Sequence, residues 1–425
     1  MKRSTWQIAL VLVLFVLALL KINSSSGTDL TASFVSCRLI RAGEISHLYS
    51  HDQTSFNLIS DPAWQRAASI GGANTQLVPF VQTPLWPYVL QPLCGSMQFS
   101  AFNELFKVTL ALCFAALIWV TGRYWTTRFF RPQWVLLMAI LWVRADPLRE
   151  AMELTQTHAI FVLLTVLAIL LARLNRPVWA GILLAISAQV KITPAAIVLY
   201  WLLMKQRRAA LSFVLASVVL FVSTMLLVGR AATVDYLHSM ARVSNVLLLA
   251  GGNQSMAAWW MGLVSPKAQA LTFRELQLGA ALKFLCSGLT IASAILGAYL
   301  DRRLEVHADG STAPYGAILA LLGTTIFAPI AWNHYYLILV VPLILVLDEC
   351  LGRRSYPLLG LFVSIVALAS SPNLLRHAGY LHLPVPDLVR GQFYAGLLAM
   401  AALYLLYRRR RGPTCSPGRT APESG

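Results

Sequence analysis

Charge is what this sequence has least of. Only 12% of its residues are charged, and just 17 of 425 are acidic. Soluble domains carry about 25% charged residues, and 57% of this chain is hydrophobic. One water-soluble core could not bury that much apolar surface. Cysteine is also sparse. The six cysteines form no CxxC pair and no Cys/His spacing of a metal site, which excludes a zinc ribbon or a thioredoxin-like centre. There is no Walker motif, GxGxxG, GxSxG or HExxH, hence no sign of ATP drive or familiar hydrolase machinery. No short-period repeat is present either.

What is there is a series of apolar runs. Ile8–Leu20, Val135–Val143, Ile160–Leu171, Leu211–Val228 and Leu337–Leu347 contain no charge, and with their flanks several approach the roughly 20 residues that cross a bilayer. The chain therefore reads as an all-α polytopic membrane protein of about twelve spans. They are Trp6–Ile22, Leu105–Thr121, Trp134–Val143, His158–Leu171, Val178–Val190, Ile192–Met204, Leu211–Val228, Glu275–Leu300, Pro314–Pro329, His334–Leu347, Tyr356–Ser370 and Phe393–Tyr407. Met1–Leu20 has the charged start and short apolar core of a cleaved signal, but no A-x-A site follows, so it is read as the first span.

The net charge of +17 falls in short clusters between spans: Lys2-Arg3, Arg123/Arg128/Arg131, Arg173/Arg176, Lys205/Arg207/Arg208, Arg302-Arg303, Arg353-Arg354 and Arg408–Arg411. Counted along the spans, every cluster lands on one side. The positive-inside rule makes that side the cytoplasm and puts both termini there, in the inner (plasma) membrane. A nucleic-acid partner would call for one contiguous basic face instead. Residues 1–411 form a single transmembrane domain. Its first outer segment is 23–103 and its third is 229–274, and a Pro/Gly/Ser-rich tail, 412–425, is expected to be disordered.

The candidate groups gather at the outer ends of spans. Asp29 follows the first span and is either a general base or part of a helix start, Thr28-Asp29 before Leu30–Ile40. Lys191 divides two short apolar pieces. It either holds a phosphate or snorkels to headgroups. His334 and Asn333 sit among Trp332, Tyr335 and Tyr336, a setting for a phosphate or a sugar. Asn253-Gln254-Ser255 follows two glycines and either bonds sugar hydroxyls or caps a helix. Gln156 and His158 close a charged second outer loop, 144–157, whose Glu150 and Glu153 share a helix face and read as solvated surface. Cys37 and Cys94 share the first outer segment, as a disulfide or as two free thiols.

Together these segments resemble glycosyltransferase family 87, the bacterial GT-C enzymes of the polyprenol-phosphate-mannose-dependent α-1,2-mannosyltransferase type. The resemblance covers about Trp6 to Tyr407. It rests on Asp29 after the first span, on Arg41-Ala-Gly-Glu-Ile-Ser-His-Leu-Tyr49, on Thr83-Pro84-Leu85, on Ala188-Gln-Val-Lys-Ile-Thr-Pro194 with Leu199-Tyr200 and Arg207-Arg208, on Gly252-Asn-Gln-Ser255, and on Ala328-Pro-Ile-Ala-Trp-Asn-His-Tyr-Tyr336. Thr83 and Ala328 depart from the family's usual residues, which bears on sugar and acceptor specificity.

The resemblance implies a GT-C-like bundle with a periplasmic first loop. It implies a polyprenyl-phosphate sugar donor, an envelope glycolipid or glycan acceptor, contact with membrane lipid, and neither metal nor other cofactor. Asp29 becomes the expected catalytic base. Lys191 and His334 become the donor-phosphate ligands, and Asn253, Gln254, Trp332, Asn333, Tyr335, Gln156 and His158 the substrate-binding set. A flippase of a lipid-linked sugar, or a non-catalytic envelope-assembly protein, is the alternative reading of the same spans.

Overall fold

The computed structural model describes residues 2–50, 59–264, 274–304, 312–353, 355–371 and 390–410. The expected tail 412–425 lies outside the described residues. So does 265–273, the end of the third outer segment.

In chain order the helices are α1 (Lys2–Ile22), α2 (Thr28–Arg41), α3 (Pro62–Ile70), α4 (Leu85–Val89), α5 (Gln91–Ser96), α6 (Phe99–Trp125), α7 (Pro132–Val143), α8 (Asp146–Glu153), α9 (His158–Arg173) and α10 (Pro177–Val190). Then come α11 (Ile197–Leu203), α12 (Arg207–Leu227), α13 (Arg230–Val243), α14 (Met256–Val264), α15 (Ala280–Arg302), α16 (Tyr315–Ile326), α17 (Val340–Arg353), α18 (Tyr356–Ala369) and α19 (Gly391–Arg410). Proline opens many of them, in the first or second position of α3, α7, α8, α10 and α18. Its missing N–H costs nothing there and its fixed φ suits the first turn.

Five helices are long and apolar enough to cross a membrane by length and composition: residues 5–22, 99–125, 207–227, 280–302 and 333–353, the last formed by a 3₁₀ turn leading into α17. Six shorter apolar helices accompany them, at 132–143, 158–173, 177–190, 193–203, 315–326 and 356–369. The chain is thus an all-α membrane protein, with one exception to the expected all-helical build. Strands β1 (Val246–Leu249) and β2 (Arg274–Gln277) pair antiparallel, Val246 opposite Gln277 and Leu249 opposite Arg274. The expected span 275–300 therefore starts too early, because its first residues are strand and α15 begins at Ala280. The second span begins earlier than expected, at Phe99 rather than Leu105, and the second outer loop is mostly the helix α8.

Similar apolar sequences occupy opposite environments. Every residue of α16 is buried, and so is Val340–Cys350 of α17. In α12 the buried residues are Ala209, Ala210 and Thr224, while Leu211, Val219 and Leu226 are exposed. A helix apolar all round belongs inside protein or inside lipid. Here α16 and α17 take the first place and α12 takes the second. Close approach of α15 and α16 depends on Gly297 and Gly316. A Cβ on either would collide with the other's backbone carbonyl, as in small-residue helix contacts within membranes.

A second hydrophobic cluster surrounds α2 and includes Phe34, Trp64, Phe80, Phe99 and Phe102. It contains the Cys37–Cys94 disulfide, whose Cα atoms are 6.4 Å apart; the pairing that the sequence leaves open is therefore made. Cys113, Cys286 and Cys350 are free. Closing a loop between residues 57 apart in sequence stabilises by about 2–4 kcal/mol. The double substitution Cys37→Ser/Cys94→Ser is expected to lower the thermal unfolding temperature of the detergent-solubilised protein, and reductant to lower it in the wild type alone. An unfolding temperature equal in both proteins would remove the disulfide from the stability of this segment.

Candidate functional site

Asp29 stands in the first turn of α2, yet it does not cap that helix. The N-cap is Gly27, at φ +64°, and no side chain bonds to the helix start. The Asp29 carboxylate instead accepts a hydrogen bond from the Gln156 amide. Its position follows from the five residues before it. Ser26 and Gly27 donate their backbone N–H groups to the Glu153 carbonyl at 2.9 and 3.2 Å. Ser25 Oγ lies within hydrogen-bond reach of Asn103 at 3.3 Å, and Thr155 Oγ1 donates to Asn103 Oδ1 at 2.7 Å. Thr155 itself sits at φ +51°, a region costly for a β-branched residue. These hydroxyl contacts hold it there, and the turn it makes delivers Gln156 to Asp29.

Around this carboxylate the bundle gathers cations and rings. Lys191 is extended, at φ −155°, in the break between α10 and the 3₁₀ turn at 193–196. Pro194 lies in that turn and disfavours a continuous helix. Lys191 Nζ is 3.3 Å from His158 Nε2 and 3.1 Å from the centre of the Tyr335 ring. The His158 ring lies 4.5 Å from His334 and 4.2 Å from Tyr335. His158 and His334 are buried, and His158 Nδ1 and both ring nitrogens of His334 have no hydrogen-bond partner. Burial and then the nearby Glu150 raise the Asp29 carboxyl to about 7, against the pull of Lys191. The site thus holds one half-buried carboxylate with an affinity for protons near neutrality, facing an ammonium and two imidazoles.

Asn253 and Gln254 do something other than line this cluster. Asn253 donates to the Leu248 carbonyl at 2.7 Å and accepts from Ala331 N at 2.9 Å and Ser255 N at 3.2 Å. Gln254 N donates to Ala331 O at 2.6 Å, and Asn333 N to Gly252 O at 3.0 Å. Ser255 Oγ bonds Pro329 O, and Tyr336 bonds Gln254 O. The triplet is a clasp that fixes residues 329–336, and with them His334. The Asn253 amide is spent on that work. Trp332 packs over Gly252, where a Cβ would meet the indole at 3.1 Å. Asn333 is buried beside it, its Oδ1 without a partner. Tyr335 is the residue of this segment that faces Lys191.

The sequence reading missed Glu150. Expected on a solvated surface, it turns inward and lies 3.6 Å from His334 Nδ1, while Arg149 pairs with Glu153 at 2.7 Å and with Asp146 at 3.7 Å. A signal was available. The Arg149–Glu153 spacing of four residues lets those two pair on a helix, and it leaves Glu150 with no cation of its own on α8. Arg390 was missed as well. Buried just before α19, it donates to the Ala250 carbonyl at 2.9 Å, next to the clasp. Among the described residues no cluster of three His, Cys, Asp or Glu side chains could hold a metal ion.

The acids at the other end of the bundle are committed to structure. Asp301 accepts from the Gly316 and Ala317 N–H groups and from Tyr200. Asp348 accepts from the N–H groups of Thr127, Arg128 and Phe129.

No curated protein matches this sequence. The family model for glycosyltransferase family 87 matches residues 80–329. That stretch is more than half of the chain and contains Glu150, Gln156, His158, Lys191 and the Asn253–Ser255 clasp. With an apolar helical bundle that gathers a carboxylate, an ammonium and imidazoles at one end, the match settles the assignment: this chain is a membrane transferase that belongs to glycosyltransferase family 87.

Proposed function

We propose that the chain moves a hexose, mannose by preference, from a polyprenyl-phosphate donor to a hydroxyl of an envelope glycolipid or glycan at the outer face of the inner membrane, both termini being cytoplasmic. One observation carries the reading. The half-buried Asp29 and the Lys191–His158 pair meet at a single end of an apolar bundle, where a lipid-borne phosphate and a water-borne hydroxyl can both arrive. Transport would call for polar groups nearer the bilayer midplane, whereas the acids of the opposite end are locked onto backbone N–H groups.

The reaction is a single displacement. Asp29 takes the proton of the acceptor hydroxyl as its oxygen bonds to the anomeric carbon. The bond from that carbon to the phosphate oxygen breaks, and the electron pair leaves with the polyprenyl phosphate. Configuration inverts. Lys191 and His334 meet the negative charge that grows on the leaving phosphate, at a site where burial makes such charges count. Tyr335 and Trp332 offer ring faces to the sugar, and Gln156 holds the base in place.

Only the ionised Asp29 is a base. Its proton affinity is raised to about 7, so kcat/KM is expected to fall as pH drops through about 7 and to level off above it. A rate that stays flat down to about pH 5, well below that point, would remove Asp29 from the acid limb. The function itself is tested with purified protein, a panel of polyprenyl-phosphate sugars and an envelope lipid extract, with products read by mass spectrometry. A new glycoside formed at the expense of one donor supports the reading. Substrates moved across vesicles without any new bond would sink it.

A further inference from the structure

The mechanism above leaves one half-buried acid without a task. Glu150 sits on α8, whose other charged side chains, Asp146, Arg149 and Glu153, pair with one another. Its carboxylate is 3.6 Å from Nδ1 of His334. His334 is 2% exposed, and neither ring nitrogen has a hydrogen-bond partner. The other charged and titratable groups facing this imidazole are His158 from the start of α9, Lys191 from the break after α10 and Tyr335 from its own turn, while Asp29 from α2 feels Glu150 and Lys191. Arg390 faces the following turn at Tyr336. Burial and Lys191 oppose a positive charge on His334. Glu150 is placed to favour it.

We propose that Glu150 is a positioning residue, which orients the His334 ring through Nδ1 and stabilises the imidazolium that forms when a phosphate arrives at Nε2. This rests on the reading of His334 as a donor-phosphate ligand. A carboxylate behind an imidazole fixes its tautomer and steadies the cation it becomes. The phosphate then meets a charge-assisted donor instead of a neutral ring. Binding of the phosphate is accordingly coupled to uptake of a proton.

The experiment titrates farnesyl phosphate, a short polyprenyl phosphate, into the detergent-solubilised full chain by calorimetry. Buffers of different ionisation heat report the protons taken up. The wild type is expected to bind with proton uptake. Glu150→Gln, of nearly equal shape, is expected to bind on the order of tenfold more weakly, the worth of one hydrogen bond to a charged group, and with the uptake lost. Glu150→Asp is expected to recover part of both. The sign discriminates. A carboxylate that merely adds negative charge to the site would, once neutralised, leave binding tighter. Equal or tighter binding by Glu150→Gln, with the uptake intact, overturns the proposal alone. No binding by the wild type overturns the donor-phosphate reading, and the proposal with it.

Discussion

Asp29→Asn is expected to give a protein that folds, inserts and binds its donor, yet transfers sugar about 10²–10⁴-fold more slowly, the usual contribution of a positioned general base. The structural cost of this change is small. Gly27, not Asp29, is the cap of α2, and it takes no side-chain hydrogen bond. Asn keeps an oxygen that can accept from Gln156, the partner Asp29 has now. What Asn cannot do is take a proton from a hydroxyl. The other acids of this end suit the task less well. Glu153 is paired with Arg149, and Asp61 is held by His47, Ser50 and the Ala63 N–H. Asp52 lies outside the described residues. The check is a single-turnover rate on protein shown to be folded by its unfolding temperature. Near-normal turnover by well-folded Asp29→Asn would end the assignment.

Lys191→Gln is expected to be the next most damaging change. Its amine is the lysine nitrogen nearest the two imidazoles, 3.3 Å from His158 and 3.1 Å above the Tyr335 ring. Removing one preorganised donor to developing negative charge costs about 10²–10³ in rate, and the donor KM is expected to rise as well. Loss of the cation–π contact alone would cost stability on the order of 1–2 kcal/mol, which a folded protein can absorb. Rate and stability thus separate the two roles. If the variant loses stability but keeps its rate, Lys191 is a structural residue that steadies Tyr335 and nothing more.

Part of this site could be read from the sequence, for a definite reason. Asp29, Lys191 and His334 each interrupt or border an apolar run, and a charge that costs energy at membrane depth stands out against such a background. Residues already in polar surroundings do not stand out. Glu150 was lost among the five charged residues of the loop at 144–157, because only three-dimensional packing shows which of two neighbouring acids turns inward. For Asn253 and Gln254 the sequence left two tasks open. Their chemistry suits a sugar, but two glycines and a following helix also suit a clasp, and the backbone of residues 329–333 takes up the Asn253 amide. The bundle was legible as spans but not as layers. The apolar runs of α12 and α16 are alike in composition, and only packing decides that α16 is enclosed while α12 faces outward. Strand β2 was hidden because its Arg-Glu-Leu-Gln pairs with a segment 25 or more residues earlier, beyond the reach of local pattern.

The hook of residues 23–27 onto the Glu153 carbonyl bears on how the enzyme behaves in different lipids. A helix whose apolar length fails to match the bilayer tilts, or draws the lipid to itself. A carboxylate hung from the end of α1 alone would ride up or down with each such adjustment. Asp29 does not hang from α1 alone, because Ser25, Ser26 and Gly27 tie its approach to α8 and, through Asn103, to α6. Its depth is measured from the protein, and bilayer thickness acts on the tilt of α1 instead of on the distance from Asp29 to Gln156 and the groups gathered around it.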